Sequence, residues 1–547
     1  MNRFKKALLL FAIVGSSILL TPSLNAGDIS AELKKEILET PPKILKNQSI
    51  ITDFYAQYNY RPLWLTDHAT KLRKIKHFLD YVRTDVTLDH RGFIYKESMA
   101  LSKMFRRQVG KKKALKLEFR LTALYYEFLQ HTAYGEIDWS KFNAHLKALK
   151  ESKINGDWTT YAFRFDIIEL MGQEDVLATI KKITPKGYRY ANLINALKRL
   201  RAIQRQGGWK LLTYYKPLKP GQVHSSIPTL RNRLKASGDY VECSARSAKQ
   251  TTFFDPCLKK AVQKFQYRHG LKADGVVGKG TRFTINKSVE KKIEMVLLNI
   301  DRIKWLPRES ANRYIVVNIP EYLLHYIENE REVRTFKVIV GDTKHPTPVF
   351  SNKISYIVLN PYWKVPEGIV KREVIPHMLK NPNYITKQGL EAHQTWEENS
   401  SIMPLDNIVW SDYLQDDKKF PYRLMQPPGP RNALGKIKFK FPNRFSVYLH
   451  DTPTKRLFNR RNRAFSHGCI RLSQPRSLLE IIAQTDENVD LIKSNQILMG
   501  KKKTQLNIAN KIPIHLVYLT AGVDANNNLI FRYDIYGYDK YQKRFIR

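Results

Sequence analysis

The residues with the clearest chemical potential lie in two short segments towards the end of the chain. One is His-Asp-Thr-Pro at 450–453, and the other is Ser-His-Gly-Cys-Ile-Arg-Leu at 466–472. They place one cysteine, Cys469, close in sequence to two histidines, His450 and His467. A thiol becomes an effective nucleophile when a neighbouring group takes its proton or lowers its pKa. The two segments therefore predict acyl transfer with Cys469 as the nucleophile.

The same three side chains are also chemically acceptable zinc ligands. A zinc site is the weaker interpretation, because the sequence shows no second ligand cluster and no histidine-rich helix beside them. We therefore predict no metal and no cofactor.

The N-terminal segment indicates where this chemistry takes place. Three basic residues precede an apolar stretch at 7–20, and Ala26 offers a small residue for cleavage. This pattern predicts a signal peptide at 1–26, too short and wrongly flanked for a membrane span. We expect a mature chain with no transmembrane segment, exported to the periplasm.

Cysteine usage fits an exported protein. The chain has three cysteines, so at most one pair can form an internal disulfide in an oxidising compartment. Cys243 and Cys257 flank a polar loop and are the predicted pair, with two free buried thiols as the alternative. Cys469 is then left as the odd thiol.

Composition limits the partners. Lys and Arg number 93 against 50 Asp and Glu, which gives a formal net charge of +43 over 547 residues. A chain of this length can bury several cores, and two to four domains are expected. Export removes nucleic acid as a partner. The charge indicates either association with an anionic envelope surface or a merely solubilising role, and both remain open.

Hydrophobic periodicity divides the mature chain into a helical part, a small glycine-punctuated helical unit and a strand-rich part. The strand-rich part is consistent with an antiparallel sheet or sandwich, interrupted by a polar insertion placed to act as a lid. The predicted ranges are 28–220 for the helical scaffold, 227–288 for the small unit, 312–500 for the strand-rich domain, about 367–424 for the lid, and 505–547 for a terminal β-hairpin packing on that domain.

Three sets of motifs resemble known families. The string Ala-Val-Gln-Lys-Phe-Gln at 261–266, with Asp-Gly-Val-Val-Gly at 274–278, resembles the peptidoglycan-binding-like domain of cell-wall enzymes. The two chemical segments, with Asn-Ala-Leu-Gly at 432–435 upstream, resemble the YkuD-type L,D-transpeptidase catalytic domain. The segment 360–366 and the aromatic stretch 54–64 are similar to those of that family's large periplasmic subgroup. The resemblance implies an α+β protein with a helical scaffold, a small binding-like domain and a mainly-β catalytic sandwich with a capping insertion.

Roles follow from the resemblance residue by residue. Cys469 corresponds to the nucleophile, and His450 to the residue that takes the thiol proton, oriented by the backbone carbonyl of Asp451. His467 corresponds to the second histidine, which lines the site and supports the oxyanion, and Gly468 contributes to the oxyanion hole with Cys469. The candidate substrate-binding residues are Arg471, Ser466 and Tyr448. For Arg471 a structural role in the loop and an ion pair with a stem-peptide carboxylate both remain open.

The reaction implied is peptidoglycan L,D-transpeptidation in two steps. The thiolate displaces the terminal D-alanine of a tetrapeptide stem, and an amine of a second stem resolves the thioester, leaving a 3-3 cross-link. The implied partners are peptidoglycan stem peptides. L,D-carboxypeptidase activity, attachment of a wall protein, and non-enzymatic peptidoglycan binding are the alternatives, because the first two share the first half-reaction and the third would leave the site silent.

Overall fold

The computed structural model describes residues 26–39, 47–65, 69–105, 111–151, 157–160, 165–243, 251–308, 311–414 and 418–546. The predicted signal peptide lies outside these ranges apart from Ala26. None of the described helices combines the length and the apolar character needed to cross a membrane. The chain divides into two compact units: Met1–Thr132 with Phe165–Ile183, and Ala133–Arg164 with Thr184–Arg547.

The first unit is helical. The first eight helices of the chain are α1 (Ala26–Glu39), α2 (Gln48–Gln57), α3 (Ala69–Thr84), α4 (Phe93–Phe105), α5 (Lys111–Tyr134), α6 (Trp139–Glu151), α7 (Ile167–Met171) and α8 (Val176–Ile183). Of these, α6 and the last residues of α5 belong to the second unit. Trp64 stacks on Phe78 and meets Tyr125 edge-on. The buried Glu118 carboxylate accepts the Leu63, Trp64 and Leu65 N–H groups. Within the aromatic segment 54–64, Phe54, Tyr55 and Trp64 are therefore buried in the core of this unit.

The second unit opens with helices. They are α9 (Tyr190–Arg205), α10 (Ile227–Ala236), α11 (Pro256–Arg268), α12 (Lys279–Ile285) and α13 (Val289–Lys304). Helices α10 to α12 share a small core that includes Leu230, Val262 and Phe265. Gln266 accepts the Gly275 N–H and donates to Asp274, so the end of α11 fixes the glycine turn quoted above. The structure joins Cys243 to Cys257 by a disulfide, which links the preceding loop to α11.

The strand-rich part has fourteen named strands within the described residues. They are β1 (Arg313–Asn318), β2 (Leu323–Glu328), β3 (Arg331–Gly341), β4 (Phe350–Leu359), β5 (Trp363–Lys364), β6 (Glu391–His393), β7 (Arg423–Gln426), β8 (Ile437–Lys440), β9 (Leu449–His450), β10 (Ala464–Ser466), β11 (Ile470–Leu472), β12 (Thr504–Val517), β13 (Ala521–Val523) and β14 (Leu529–Phe531).

Eight of these strands form a closed barrel in the order β3-β11-β9-β8-β4-β12-β1-β2, and β2 pairs with β3 to complete the ring. The predicted antiparallel sandwich is therefore wrong, although the mixed class of helical domains and a β catalytic domain is confirmed. Three pairs are also parallel: β1 with β12, β9 with β11, and β3 with the short β10. Closing the sheet into a barrel leaves few unpaired strand edges. Apolar and polar residues alternate along the strands of a barrel as they do in a sandwich, so this pattern does not distinguish the two folds.

The barrel core explains the alternation of the strands. Inward residues such as Phe439, Leu449 and Ile470 are fully buried in one apolar cluster, which also takes in Trp139 of α6 and Trp158. Their sequence neighbours point outward, because successive side chains of a strand lie on opposite faces.

The insertion between β4 and β8 forms a cap with a core of its own. It contains α14 (Glu367–Ile369), a π-helical turn (Val370–Val374), α15 (Ile375–Lys380) and α16 (Tyr384–Gln388), together with the sheet β5-β7-β6. Val374 and Ile385 are buried in this cap core.

The last elements complete the barrel. Helices α17 (Pro475–Ala483) and α18 (Leu491–Met499) precede β12, the longest of the described strands, which pairs antiparallel with β4 and parallel with β1. A hairpin of β13 and β14 and helix α19 (Tyr538–Gln542) follow.

Candidate active site

Cys469 lies immediately before β11 on the outward face of the barrel. Ile470 and Leu472 point into the core, so Cys469 and Arg471 alternate to the outside. His450 in β9 is the register partner of Arg471 on one side and of Lys438 in β8 on the other. Paired residues of neighbouring strands share a face. Three adjacent strands therefore set the thiol and the imidazole of His450 on one surface.

The backbone fixes the tautomer of His450. Its Nδ1 lies 2.5 Å from the carbonyl oxygen of Asp451, and because a carbonyl can only accept, Nδ1 carries the proton. This leaves Nε2 as an acceptor. Burial, the nearby Arg471 charge and other cations lower the pKa of His450 to about 3, with the Asp451 carbonyl opposing. At neutral pH His450 is therefore a neutral base.

The turn that presents Asp451 is held by the upstream Asn-Ala-Leu-Gly motif. Asn432, 1% exposed, donates to the carbonyls of Pro361, Gln426 and Pro427. Gly435 has φ +59°, and a Cβ there would collide with the Asp451 carboxylate. The motif therefore acts through packing, and Asp451 is in addition paired with Lys455 at 2.5 Å.

Opposing influences act on the Cys469 thiol. Burial raises its pKa, while the neighbouring Tyr448 and the charges of Lys438 and Lys440 lower it. Lys438 Nζ lies 3.8 Å from the centre of the Tyr448 ring, and Lys440 Nζ lies 5.1 Å from it. Burial lowers the pKa of Lys438 to about 8. The two lysines supply positive charge beside the position where a thiolate forms.

Gly468 adopts φ +101°, a region that favours glycine. Its carbonyl accepts a hydrogen bond from Thr347 Oγ1 at 2.8 Å, and Thr347 in turn accepts from the Gly341 N–H. In a trans peptide the C=O and the N–H point in opposite directions. The Thr347 bond therefore turns the Cys469 N–H away from Thr347, the arrangement needed for an oxyanion donor.

The remaining predicted residues have contacts of different kinds. Ser466 is buried and its hydroxyl donates to the Cys469 carbonyl at 2.5 Å, which is a structural contact. His467 is exposed, pairs with Glu373 of the cap at 2.5 Å, and lies ring to ring with His345 at 4.5 Å. Arg471 is partly buried on the outward face, where burial lowers its pKa and Cys469 opposes the shift.

Sequence reasoning missed Lys438, Lys440, Thr347 and Glu373. The alternating run Ile-Lys-Phe-Lys-Phe at 437–441 was a readable signal for the lysines, because its apolar members predict a half-buried strand. Thr347 and Glu373 carry no such signal, since they reach the site only through the closure of the barrel and the folding of the cap. Among the described residues, no three His, Cys, Asp or Glu side chains are grouped to hold a metal ion.

Comparisons with known proteins match this arrangement. A family model described as "L,D-transpeptidase catalytic domain" matches residues 312–495. Models described as "Putative peptidoglycan binding domain" and "Scaffold domain" match residues 223–283 and 49–197. A Haemophilus influenzae protein described as "Putative L,D-transpeptidase" is 35% identical over 247 residues, which are 45% of this chain and 48% of that protein. The chain thus spans about half the length of this curated relative.

Solved structures were also found. An L,D-transpeptidase from Mycobacterium smegmatis is 13% identical, with 38% of this chain and 59% of that chain covered and a TM-score of 0.18. An L,D-transpeptidase from Xylanimonas cellulosilytica is 15% identical, with 55% and 98% covered and a TM-score of 0.16. These scores are too low to support an argument about the fold. On the family matches, the chain carries a catalytic domain of the L,D-transpeptidase family, preceded by a scaffold domain and a peptidoglycan-binding domain.

Proposed function

We propose that this protein is a peptidoglycan L,D-transpeptidase with Cys469 as its nucleophile. The observation that carries the proposal is the shared outward face of Cys469 and His450, with His450 Nδ1 tied to the Asp451 carbonyl. A neutral imidazole with a free acceptor is the base that a buried thiol requires. The relative described as an L,D-transpeptidase supports the same reaction class.

In the first step His450 Nε2 takes the Cys469 proton, and the sulfur attacks the carbonyl of the L-centred bond between diaminopimelate and D-alanine. The tetrahedral oxyanion is stabilised by the Cys469 N–H, oriented by the Thr347 bond to the Gly468 carbonyl. The carbon–nitrogen bond breaks, the imidazolium returns its proton to the leaving amine, and D-alanine departs. A thioester remains on Cys469.

In the second step the amine of an acceptor stem attacks the thioester. The new amide forms, the carbon–sulfur bond breaks, and the proton of the amine passes through His450 to the thiolate. Lys438 and Lys440 favour the released thiolate electrostatically. The cap meets the motif through Glu373 and His467, and this contact supports a role for the cap in excluding water from the thioester.

Export to the periplasm and action on the anionic wall belong to the same proposal. The net charge of +43 suits attraction to the anionic groups of that polymer.

The test is incubation of the chain without residues 1–26 with purified disaccharide-tetrapeptide, followed by mass spectrometry. We expect a dimer formed with loss of one D-alanine. Cys469→Ala is expected to abolish it, and His450→Asn to slow it by about a hundredfold or more. The control His377→Asn makes the same change at an exposed histidine of the cap and leaves the rate intact.

Other products would change the assignment. Tripeptide alone would identify an L,D-carboxypeptidase, and a stem joined to a supplied protein amine would identify an attachment enzyme. A dimer that forms equally with Cys469→Ala, or no product at all, would overturn the proposal.

A further inference from the structure

A second cleft lies in the same compact unit and shares no lining residue with the surface around Cys469. It is formed by α9, the ends of α10 and α11, α13 and strand β14, and has a volume of about 340 Å³. Ligand pockets are commonly of this size or larger.

Its lining is dominated by cationic side chains that are almost fully buried. Arg233 is 3% exposed, Lys292 is 2% and Arg268 is 5%, with His269 at 8% beside them. Burying a charge is unfavourable unless a partner of opposite charge and hydrogen bonds compensate it.

One carboxylate serves the cluster, and it is already engaged. Asp239 receives Arg268 through both oxygens, at 2.6 and 2.5 Å. Among the ion pairs of the described residues, none involves Arg233 or Lys292. The buried cations of the cleft therefore exceed its buried anions.

Arg233, Lys292 and His269 line the cleft. Arg233 donates through Nε to the Ile285 carbonyl and stacks on Trp209 at 3.6 Å, while its Nη1 has no hydrogen-bond partner within the described residues. Lys292 Nζ lies 3.8 Å from the centre of the Phe531 ring. The His269 Nε2 likewise has no partner in the described part of the chain. Arg233 Nη1 is therefore a buried donor with no acceptor, whereas His269 Nε2 is a buried acceptor, because His269 Nδ1 donates to the Phe265 carbonyl.

We propose that this cleft is a binding site for the oxyanion of a small ligand, a carboxylate or a phosphate, received by Arg233 and Lys292. Arginine offers a planar pair of donors that matches an oxyanion, and lysine adds a point charge. The rings of Trp209 and Phe531 pack against Arg233 and Lys292 and hold these two cations at the cleft. A bound anion would supply the counter-charge that the buried cations lack.

Protonation provides a signature of this binding. In the empty cleft, burial and neighbouring positive charge hold the pKa of Lys292 well below its ordinary value. The charged groups that act on it are Lys287, Arg233, Arg268 and Asp239, and the neutral His269 lies beside them. An oxyanion favours the charged lysine, so binding takes up a proton at any pH at which Lys292 is neutral in the empty cleft.

The test is calorimetric titration of the full chain with the substitution Cys469→Ala, so that turnover does not add to the heat of binding. The probes are disaccharide-tetrapeptide, which brings carboxylates, and inorganic phosphate, with sodium chloride as the control for ionic strength. Lys292→Met is expected to weaken binding of at least one probe by tenfold or more. Lys291→Met, the same change at the exposed neighbour on α13, is expected to preserve it. If Lys292→Met weakens binding of the disaccharide-tetrapeptide alone, the ligand is a wall-derived carboxylate, and if it weakens binding of phosphate alone, the cleft is a phosphate site.

A measurement on the chain with Lys292 intact covers the case in which Lys292→Met fails to fold. The binding enthalpy at pH 8 is compared between Tris and HEPES, and a difference reports proton uptake. A heat that is equal in both buffers, or affinities for both probes that Lys292→Met leaves unchanged, would overturn the proposal. Because only binding is measured, this result is separate from the failure or success of catalysis at Cys469.

Discussion

At the scale of single residues, the Cys469 thiol is balanced between burial and positive charge. Burial raises its pKa, and Lys438 and Lys440 act against that rise from the next strand but one. With His450 neutral, the resting pair is a thiol beside an imidazole. Reactivity of the free enzyme towards an alkylating agent should therefore increase as the pH rises through the pKa of Cys469.

Lys438→Met tests this balance. Removing the charge removes a force that lowers the pKa of Cys469, so the midpoint of iodoacetamide alkylation against pH should move upward, and the rate at pH 8 should fall several-fold. Lys353→Met, at an exposed position of β4, serves as the control and should leave the profile unchanged. If the midpoint did not move in Lys438→Met, Lys438 would not be lowering the pKa of Cys469.

Gly468→Ala tests the backbone before Cys469, the proposed nucleophile. A Cβ at φ +101° is strained, so we expect a loss of about 1–2 kcal/mol in the free energy of unfolding and a slower release of D-alanine. Gly429→Ala is the matched control, because its Cβ would meet no neighbouring atom and its φ is not in the positive region. Denaturant titration measures the first effect, and equal losses in the two variants would contradict the expectation.

Sequence spacing was enough to nominate Cys469 and His450, since both lie in short motifs whose residue types are reactive. It could not supply Thr347, which reaches Gly468 from a position 121 residues away. Nor could it foresee that His467 would meet Glu373 of the cap. Contacts of this kind arise from register and loop path, which local periodicity does not encode.

At the scale of elements, the cap is a small folded body with its own core. Ile385 is fully buried there, whereas Ile402 of the same segment is 59% exposed. Ile385→Ala should remove about 2–5 kcal/mol of local stability, because it opens a cavity in a close-packed core. Hydrogen exchange should accelerate across residues 365–426 and remain unchanged in the barrel strands. Ile402→Ala should leave exchange as it is, and an equal acceleration in both variants would argue against a separate cap core.

At the scale of the whole molecule, the mixed class was predictable and the closure of the barrel was not. Short β-branched and aromatic runs indicated strands such as β1, β2 and β3, but the pairing of β2 with β3 that closes the ring depends on strand order. The terminal hairpin predicted within 505–547 illustrates the difficulty. The structure has a hairpin of β13 and β14 in this range, but residues 504–517 form β12, which lies between β4 and β1 in the wall of the barrel.

A half-buried ionic network of the second unit makes folding stability depend on pH. His325 lies between Glu321 and Glu332, and Arg532 pairs with Glu321 at 2.6 Å. Although burial opposes it, the two carboxylates raise the pKa of His325 to about 9, and His325 helps lower the pKa of Glu332 to about 2. The contribution of His325 is complete below about pH 6.5 and is lost as the pH rises to about 9. That of Glu332 is complete above about pH 4.5 and is lost as the pH falls towards 2.

His325→Asn should therefore reduce the fall in melting temperature between pH 6.5 and 9. The loss in the free energy of unfolding that His325 causes over this range is at most about 3 kcal/mol, at 1.36 kcal/mol per pKa unit. Thermal unfolding followed by circular dichroism across that range measures it. The exposed His377→Asn should keep the slope of the unmodified protein. If His325→Asn kept that slope as well, the network would have no linkage to folding.

The parallel pairing of β1 with β12 affects the order in which the chain can fold during synthesis. Ile315 lies beside Ile514, almost two hundred residues later, and β4 is paired with the same late strand. Contacts between such distant segments form slowly, because the entropic cost of closing a long loop must be met before any stabilising contact forms. During synthesis the segments that carry Cys469 and His450 emerge before β12 does. A nascent chain that ends before residue 504 therefore exposes unpaired strand edges at β1 and β4. The barrel that carries Cys469 and His450 can close only after β12 has been synthesised.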